Sequence, residues 1–415
     1  MTQSLSDVIR EGEGAQDAVH LGGGIFMSKG IANSYLVATS DGDLLVNTGG
    51  HFEAPEIKAR FGRVSSHPLR VIVFTQGHPD HVGGWSQFTA PGVRTIAQAN
   101  HADVREYWRR LHPFYARRMA KLWGRYLADH DRSYLPPEPA LTTAFLDSHA
   151  FELGGRRFEL YSTPGGEAAD ALVVWLPEER IVFTGNLMGP LFGHAPNLYT
   201  IRGDKYRSAI AFIHSVDRVI GLEPETLITG HEVARSAEEI RQRLGHVRDA
   251  IEYLRTQVIE GMNAGADLWT LMGQVRLPPE LAMPQVHGKV PWIVRAIWEE
   301  HAGWFRYEST TELYDVPPSA VWDDVVELAG GPDALTARAR SHLAEGRPLH
   351  ALHLVDVILA CDPSAVGAVA VKREATEALL ERSGRENFSE VQWLESEIAE
   401  VDAALAQAKP DQEEL

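Results

Sequence analysis

Along the first 245 residues or so, short apolar runs rich in β-branched side chains alternate with longer segments of helical spacing. The runs Ala32–Thr39, Asp43–Asn47, Val71–Thr75, Arg156–Ser162, Ala171–Trp175, Arg180–Thr184 and Thr226–Thr229 read as strands. Asp41-Gly42, Gly154-Gly155 and Pro164-Gly165-Gly166 supply turn chemistry between them. Such alternation predicts a layered α/β domain. In His101–Tyr134, Trp108, Leu111, Tyr115, Met119, Leu122 and Tyr126 recur at helical spacing, with Arg109, Arg110, Arg117, Arg118, Lys121 and Arg125 on the opposite side. Pro113 interrupts the pattern, which predicts two helices or one kinked helix. A solvated basic face accounts for these cations more simply than a cationic wall beside a site. From Trp322 to Ala408 helix formers dominate. Leu343, Leu349, Leu352, Leu354, Val355 and Leu359 supply apolar positions, and Asp362-Pro363-Ser364 marks a turn. This predicts a second domain of paired helices with a weak tetratricopeptide-like character. The tail 409–415 is polar and expected to fray.

Charge and length narrow the function. A chain of 415 residues is long for one core, so two domains are expected. Lys and Arg total 39 against 57 Asp and Glu, a net charge of −18, which argues against nucleic acid as a partner. Cys361 is the single cysteine, as suits a reducing compartment, and Met1–Val8 has no basic start or apolar core. No apolar run is long enough to span a bilayer. A cytoplasmic protein without membrane insertion is the expectation.

The candidate chemistry sits in Val71-Ile72-Val73-Phe74-Thr75-Gln76-Gly77-His78-Pro79-Asp80-His81-Val82-Gly83-Gly84. A buried strand ends in a loop carrying two imidazoles and a carboxylate within four residues, the donor types of a borderline-soft divalent cation. Strand ends in layered α/β proteins are where sites are built.

This stretch resembles the signature of the metallo-β-lactamase fold superfamily, His-x-His-x-Asp-His at the end of a strand, with Gln76 where the superfamily has its first His. Thr163-Pro164-Gly165-Gly166-Glu167, Ile181-Val182-Phe183-Thr184-Gly185-Asn186 and Leu227-Ile228-Thr229-Gly230-His231 resemble three further ligand segments. Glu167 after the turn, and Asn197-Leu198-Tyr199-Thr200-Ile201-Arg202-Gly203 with Arg207 following, resemble the alkyl sulfatase branch. So do Ala116-Arg117-Arg118-Met119, Gly303-Trp304-Phe305 and Gly330-Gly331-Pro332-Asp333-Ala334-Leu335. The resemblance implies an αββα metallo-β-lactamase sandwich over 1–245, a helical linker region over 246–303, an all-helical dimerisation domain over 304–408 and a homodimer. The C-terminal sterol-carrier-like module of many alkyl sulfatases is not expected, since too few residues remain.

The resemblance further implies a metal-dependent hydrolase of a small anionic substrate, a sulfate ester or related ester, attacked by a water whose pKa the cation lowers. Asp80, His81 and His231 would form one ligand set. His78 and Glu167, with the poor donors Gln76 and Asn186, would form the other. Asn47 also stands where the superfamily commonly has Asp. One tight zinc and one weak or vacant position are expected, with manganese or iron as alternatives. Asp80 would orient the water, and His194 is a candidate proton donor, with a plain loop role equally open. Asn197, Tyr199, Arg202 and Arg207 would bind the anionic group. Two rivals stand beside this reading. One is another metal-dependent reaction on the same fold, hydrolysis of an ester, lactone or thioester or an iron-dependent oxidation. The other is a non-catalytic dimer that binds an anion.

Overall fold

The computed structural model describes residues 5–124, 137–205 and 207–407. Two sheets form the first compact unit, which takes in the described residues up to His301 apart from the end of one helix near Lys121. The first sheet has seven strands in sequential order: β1 (Val19–Gly22), β2 (Ile25–Ser28), β3 (Ser34–Thr39), β4 (Gly42–Val46), β5 (Leu69–Val73), β6 (Arg94–Gln98) and β7 (Thr143–Phe145). β1 to β4 pair antiparallel, and β4 to β7 pair parallel. The second sheet holds β8 (Ser148–Leu153), β9 (Arg156–Ser162), β10 (Leu172–Leu176), β11 (Ile181–Gly185), β12 (Thr226–Thr229) and β13 (Val233–Ala234), with only β11 and β12 parallel.

The two-residue period of the strands sets the layers. Leu44, Val46, Val71 and Val73 point between the sheets, where they meet Phe158, Leu160, Leu172, Val174 and Phe183. Their neighbours Leu45, Ile72 and Phe74 point outward onto Ala54, Ile57 and Phe61 of the helix Ala54–Val64. Strands covered on both faces read as continuous apolar runs, which is why β4 and β5 were legible in the sequence. Helices Ala209–Leu222 and Ala237–Asn263 pack together and cover the second sheet. The αββα expectation holds.

β9 and β12 match their expected limits. β4 and β5 stop one or two residues early, at Val46 and Val73, because Asn47 turns into the left-handed region (φ 60°) and its side chain binds Thr75. β1, β2, β6, β7, β8 and β13 were not read as strands. β1 and β8 are sheet edges; β1 is largely exposed, and β8 alternates over only six residues, with Phe151 and Leu153 half-buried, too short a run to stand out.

The basic segment resolves into two helices, His101–Arg110 and His112–Trp123, broken at Leu111. Pro113 lies in the first turn of the second helix, where its missing N–H costs nothing. Trp108, Tyr115 and Leu122 are buried, whereas Leu111 is exposed. Arg109 and Arg110 both pair with Glu106 at 2.6 Å, so they form no free cationic wall. Arg125, Tyr126 and Tyr134 lie outside the described residues.

The second unit, from Ala302 on, contains helices Trp322–Leu328, Pro332–Ala344, Pro348–Cys361, Val366–Arg382 and Phe388–Gln407. Val355 joins Leu335, Ala339, Ala351, Ile358 and Val371 in its core, Leu343, Leu352, Leu354 and Leu359 pack at the edge, and Leu349 faces solvent. The tail 409–415 lies outside the described residues. Among the described residues no helix is long and apolar enough to cross a membrane.

Candidate functional site

Every ligand-type residue singled out in the sequence lies just past a strand or in a turn of the first unit. Asn47 and the Thr75–His81 loop follow the parallel pair β4 and β5, and Asn186 and His231 follow the parallel pair β11 and β12. Carboxyl ends of parallel strands leave a crevice where loops converge. His78 caps the short helix Pro79–Val82, whose first-turn proline presets the backbone. Gly84 is required beyond it, because a Cβ there would strike the Thr48 carbonyl and the Ala54 side chain.

On one side of the crevice stand His81 and His231. Both are buried, and His81 Nε2 and His231 Nδ1 have no hydrogen-bond partner. Asp80, about a third exposed, places Oδ2 3.5 Å from His81 Nε2. Burial holds His81 below the ordinary imidazole pKa despite nearby Asp80. Burial, helped by His81, pushes His231 down to about 4. Both rings are therefore neutral at pH 7, the form that ligates a metal.

Asn47 orients His81. The Thr75 backbone N–H donates to Asn47 Oδ1 at 2.9 Å, which turns Asn47 Nδ2 toward His81 Nδ1, also at 2.9 Å. An amide nitrogen can only donate, so Nδ1 is the acceptor and the neutral ring carries its proton on Nε2. His231 is set by the β12–β13 turn, where its N–H donates to Thr229 Oγ1 at 3.0 Å and its carbonyl accepts from Asn33 Nδ2 at 3.0 Å.

On the other side the same kinds of atom are already paired. Gln76 Nε2 faces His78 Nδ1 at 2.9 Å, and His78 Nε2 faces Asp204 Oδ2 at 3.2 Å. Glu167 Oε1 meets His287 Nε2 at 2.6 Å, and Glu167 Oε2 accepts from Asn186 Nδ2 at 3.1 Å. Burial by itself would raise the Glu167 carboxyl, but His287, Arg207 and His78 together outweigh it and hold the group well below the usual carboxylate range.

Two of these residues were missed in the sequence. His287 comes from the 246–303 segment, read there as a linker. It reaches Glu167 because its loop pairs with the anion loop: Ala195 N–H donates to Pro284 O at 2.9 Å, and Gly288 N–H donates to Ala195 O at 3.0 Å. Gly288 permits the approach, since a Cβ there would meet the Pro196 and Ala195 carbonyls. The one available signal was a His before Gly in a proline-rich stretch without helical spacing. Asp204 lies two residues after Arg202 and was passed over because the resemblance centred on the arginines.

Arg202 and Arg207 converge on Asp204. Its Oδ2 accepts from Arg207 Nη2 at 3.1 Å and Arg202 Nη2 at 3.2 Å, and its Oδ1 accepts from the Tyr107 hydroxyl at 2.5 Å. Burial opposes ionisation of Asp204, but His78, Arg207 and Arg202 overcome it and the carboxyl lies far below its ordinary value. Arg207 also donates to the Asn197 carbonyl at 2.5 Å. Arg118 holds the Ile201 and Arg202 carbonyls at 2.7 and 2.6 Å. Tyr199 donates its hydroxyl to Glu299 at 2.5 Å, which makes it a support of the loop. His194 lines a neighbouring cavity of about 390 Å³ with Phe192, Gln242, Arg243, His246 and Pro284.

The donor sets on the two sides differ in fitness for a metal. His81 Nε2 and His231 Nδ1 are buried nitrogens without a hydrogen-bond partner among the described residues, and Asp80 lies beside the first; in the tautomer that Asn47 sets, His81 must shed its Nε2 proton before it can ligate. Around His78 and Glu167 the ring nitrogens of His78 and both carboxylate oxygens of Glu167 have protein partners. Among the described residues no group of three or more His, Cys, Asp or Glu is positioned as it stands to hold a metal ion.

Comparison with known proteins matches the metallo-beta-lactamase superfamily over residues 27–231 and alkyl sulfatase dimerisation over residues 270–396. A linear primary-alkylsulfatase from Pseudomonas sp. is 26% identical over 342 residues, which cover 75% of this chain and 63% of that protein. An alkyl/aryl-sulfatase from Saccharomyces cerevisiae is 24% identical over 235 residues, which cover 55% of this chain and 36% of that one. The chain thus spans less than two thirds of these curated relatives. The solved structure of a stereoselective inverting sec-alkylsulfatase from Pseudomonas sp. superposes with a TM-score of 0.81 at 20% identity, covering 95% of this chain and 66% of that chain.

Proposed function

Because the chain belongs to the metallo-beta-lactamase superfamily and carries the alkyl sulfatase dimerisation domain, we propose that it hydrolyses sulfate monoesters or closely related anionic esters with the help of one metal ion. The observation that carries this reading is a shared atom. Asp204 Oδ2 contacts His78 of the histidine loop and both arginines of the anion loop, so an anion at the arginines lies beside the histidines.

Asp80, His81 and His231 would hold the ion, which would supply a Lewis acid beside the ester. Asp80, 3.5 Å from His81 Nε2, would orient the attacking water and take up its proton. Arg202 and Arg207 neutralise the anionic group and hold the ester in line with that water. The expected result is release of inorganic sulfate from alkyl sulfates by the zinc-loaded protein, followed by ion chromatography. Absence of sulfate release from primary, secondary and aryl sulfates with metal bound would sink the reading.

Arg202→Ala should cost about 2–4 kcal/mol in kcat/KM for anionic esters, the range for removing one charge-stabilising donor. A neutral ester of the same shape should barely respond. Equal losses on both would make Arg202 a structural residue, consistent with its position 5.0 Å over the Trp108 ring.

A second reading, a non-catalytic anion-binding dimer, draws support from the amides Asn47, Gln76 and Asn186, each engaged in hydrogen bonds. Metal content of the purified protein separates the two. A homodimer fits either. Tyr307 and Leu328 are 87% and 88% exposed, and Trp304, Tyr314 and Val316 are exposed as well. Leu328→Glu with Trp304→Ala should lower the mass seen by light scattering from two chains to one, and a dimer that survives both changes counts against this surface.

A further inference from the structure

The arginine pair is not an open cation. Arg207 and Asp204 have side chains 4% and 3% exposed, and Arg202 is 15% exposed. Two guanidiniums and one carboxylate are therefore fixed together out of solvent, with a summed charge of +1. Asp204 is held too firmly to leave. Beyond the arginines, His78 and Tyr107, the Lys205 backbone N–H donates to its Oδ1 at 2.8 Å. Meanwhile Arg207 Nε and Asn197 Oδ1 are buried without hydrogen-bond partners among the described residues, so polar capacity remains for a ligand. Any anion that enters does so alongside the Asp204 carboxylate.

This bears on the two ends of the proposed reaction. In overall terms R–O–SO3⁻ and water give R–OH and HSO4⁻, which loses its proton at neutral pH to become SO4²⁻. The substrate carries one negative charge and the released product two. Building on the sulfate-ester reading, we infer that Asp204 is a specificity-determining residue that weakens the arginine pair's preference for the dianionic product over the monoanionic ester. The carboxylate repels a ligand in proportion to the ligand's charge, so SO4²⁻ suffers twice the penalty of a monoester at the same place. Arg202 and Arg207 thus draw in the ester while holding inorganic sulfate less tightly than two uncompensated guanidiniums would. The hold on a dianionic phosphate monoester is weakened on the same ground.

The test uses two probes of similar shape, methanesulfonate as a monoanion without a scissile ester bond and inorganic sulfate as the dianion. Their affinities for the full metal-loaded chain are measured by calorimetric titration, in the unmodified protein and in Asp204→Asn. The exchange keeps the side-chain shape and removes the charge. Sulfate should tighten by about tenfold or more, and methanesulfonate by about the square root of that factor. Equal tightening of both probes, or no tightening of either, overturns the inference. Should Asp204→Asn fail to fold, the unmodified protein still decides: sulfate bound more than about a hundredfold tighter than methanesulfonate overturns it, and comparable or weaker sulfate binding supports it. The outcome is separable from the sulfatase reading. Sulfate-ester turnover without the selectivity shift defeats this inference alone. The shift without turnover defeats the sulfatase reading and leaves the charge selection standing.

Discussion

Asn47→Asp will tighten zinc binding by about 10- to 100-fold, the range for changing a hydrogen-bond partner of a ligating histidine. The cause is the tautomer of His81. Thr75 N–H anchors Asn47 Oδ1, the amide nitrogen faces His81 Nδ1, and the ring proton is left on Nε2. That nitrogen is the one without a partner beside Asp80. A carboxylate at 47 would accept from Nδ1–H and free the Nε2 lone pair, while still accepting from Thr75. In the same chelator-competition assay, His81→Ala and His231→Ala should abolish tight binding, and Gln76→Ala should change it little. Gln76 contributes an amide already spent on His78. Equal metal loss in all three alanine variants would overturn the one-sided site, and unchanged affinity in Asn47→Asp would overturn the tautomer argument.

The second large effect concerns the other side of the crevice. Restoring metal-type donors with Gln76→His and Asn186→Asp should leave metal content at one ion per chain. Glu167 would remain bound to His287 through a part-buried contact of 2.6 Å. A cation would have to break that pair and leave the imidazole without its acceptor, a cost of about 1–3 kcal/mol. Adding His287→Ala removes the competitor, and the triple variant should take up a second ion. Elemental analysis of the three proteins reads this directly. Two ions per chain in the unmodified protein, or in the double variant, would falsify the role given to His287.

Much of this was legible in the sequence because it is local. Ile72 and Phe74 against Val71 and Val73 form a strand with two apolar faces whatever surrounds it, and the Gln76–Gly84 loop declares its donor types by residue identity. Arg202 and Arg207 were placed near the site only by the resemblance to the alkyl sulfatase branch, since locally they could be ordinary surface arginines. Edge strands such as β1 were not legible, because a short exposed strand has no apolar rhythm to read. The 246–303 segment showed helices but concealed a site residue, since His287 acquires meaning only when its loop pairs with Ala195.

The sequence by itself determined the α/β class, the strand that carries the histidine loop, the helical character of the second unit and the kinds of donor available. Tertiary structure alone decided which donors remain available. Asn47 meets His81 across 34 residues, Glu167 meets His287 across 120, and His78 meets Asp204 across 126. An imidazole or carboxylate has only a few hydrogen-bonding positions, and burial forces each to be filled. Whether a partner from a distant segment or a bound ion fills them depends on how the chain packs, and no local pattern records it.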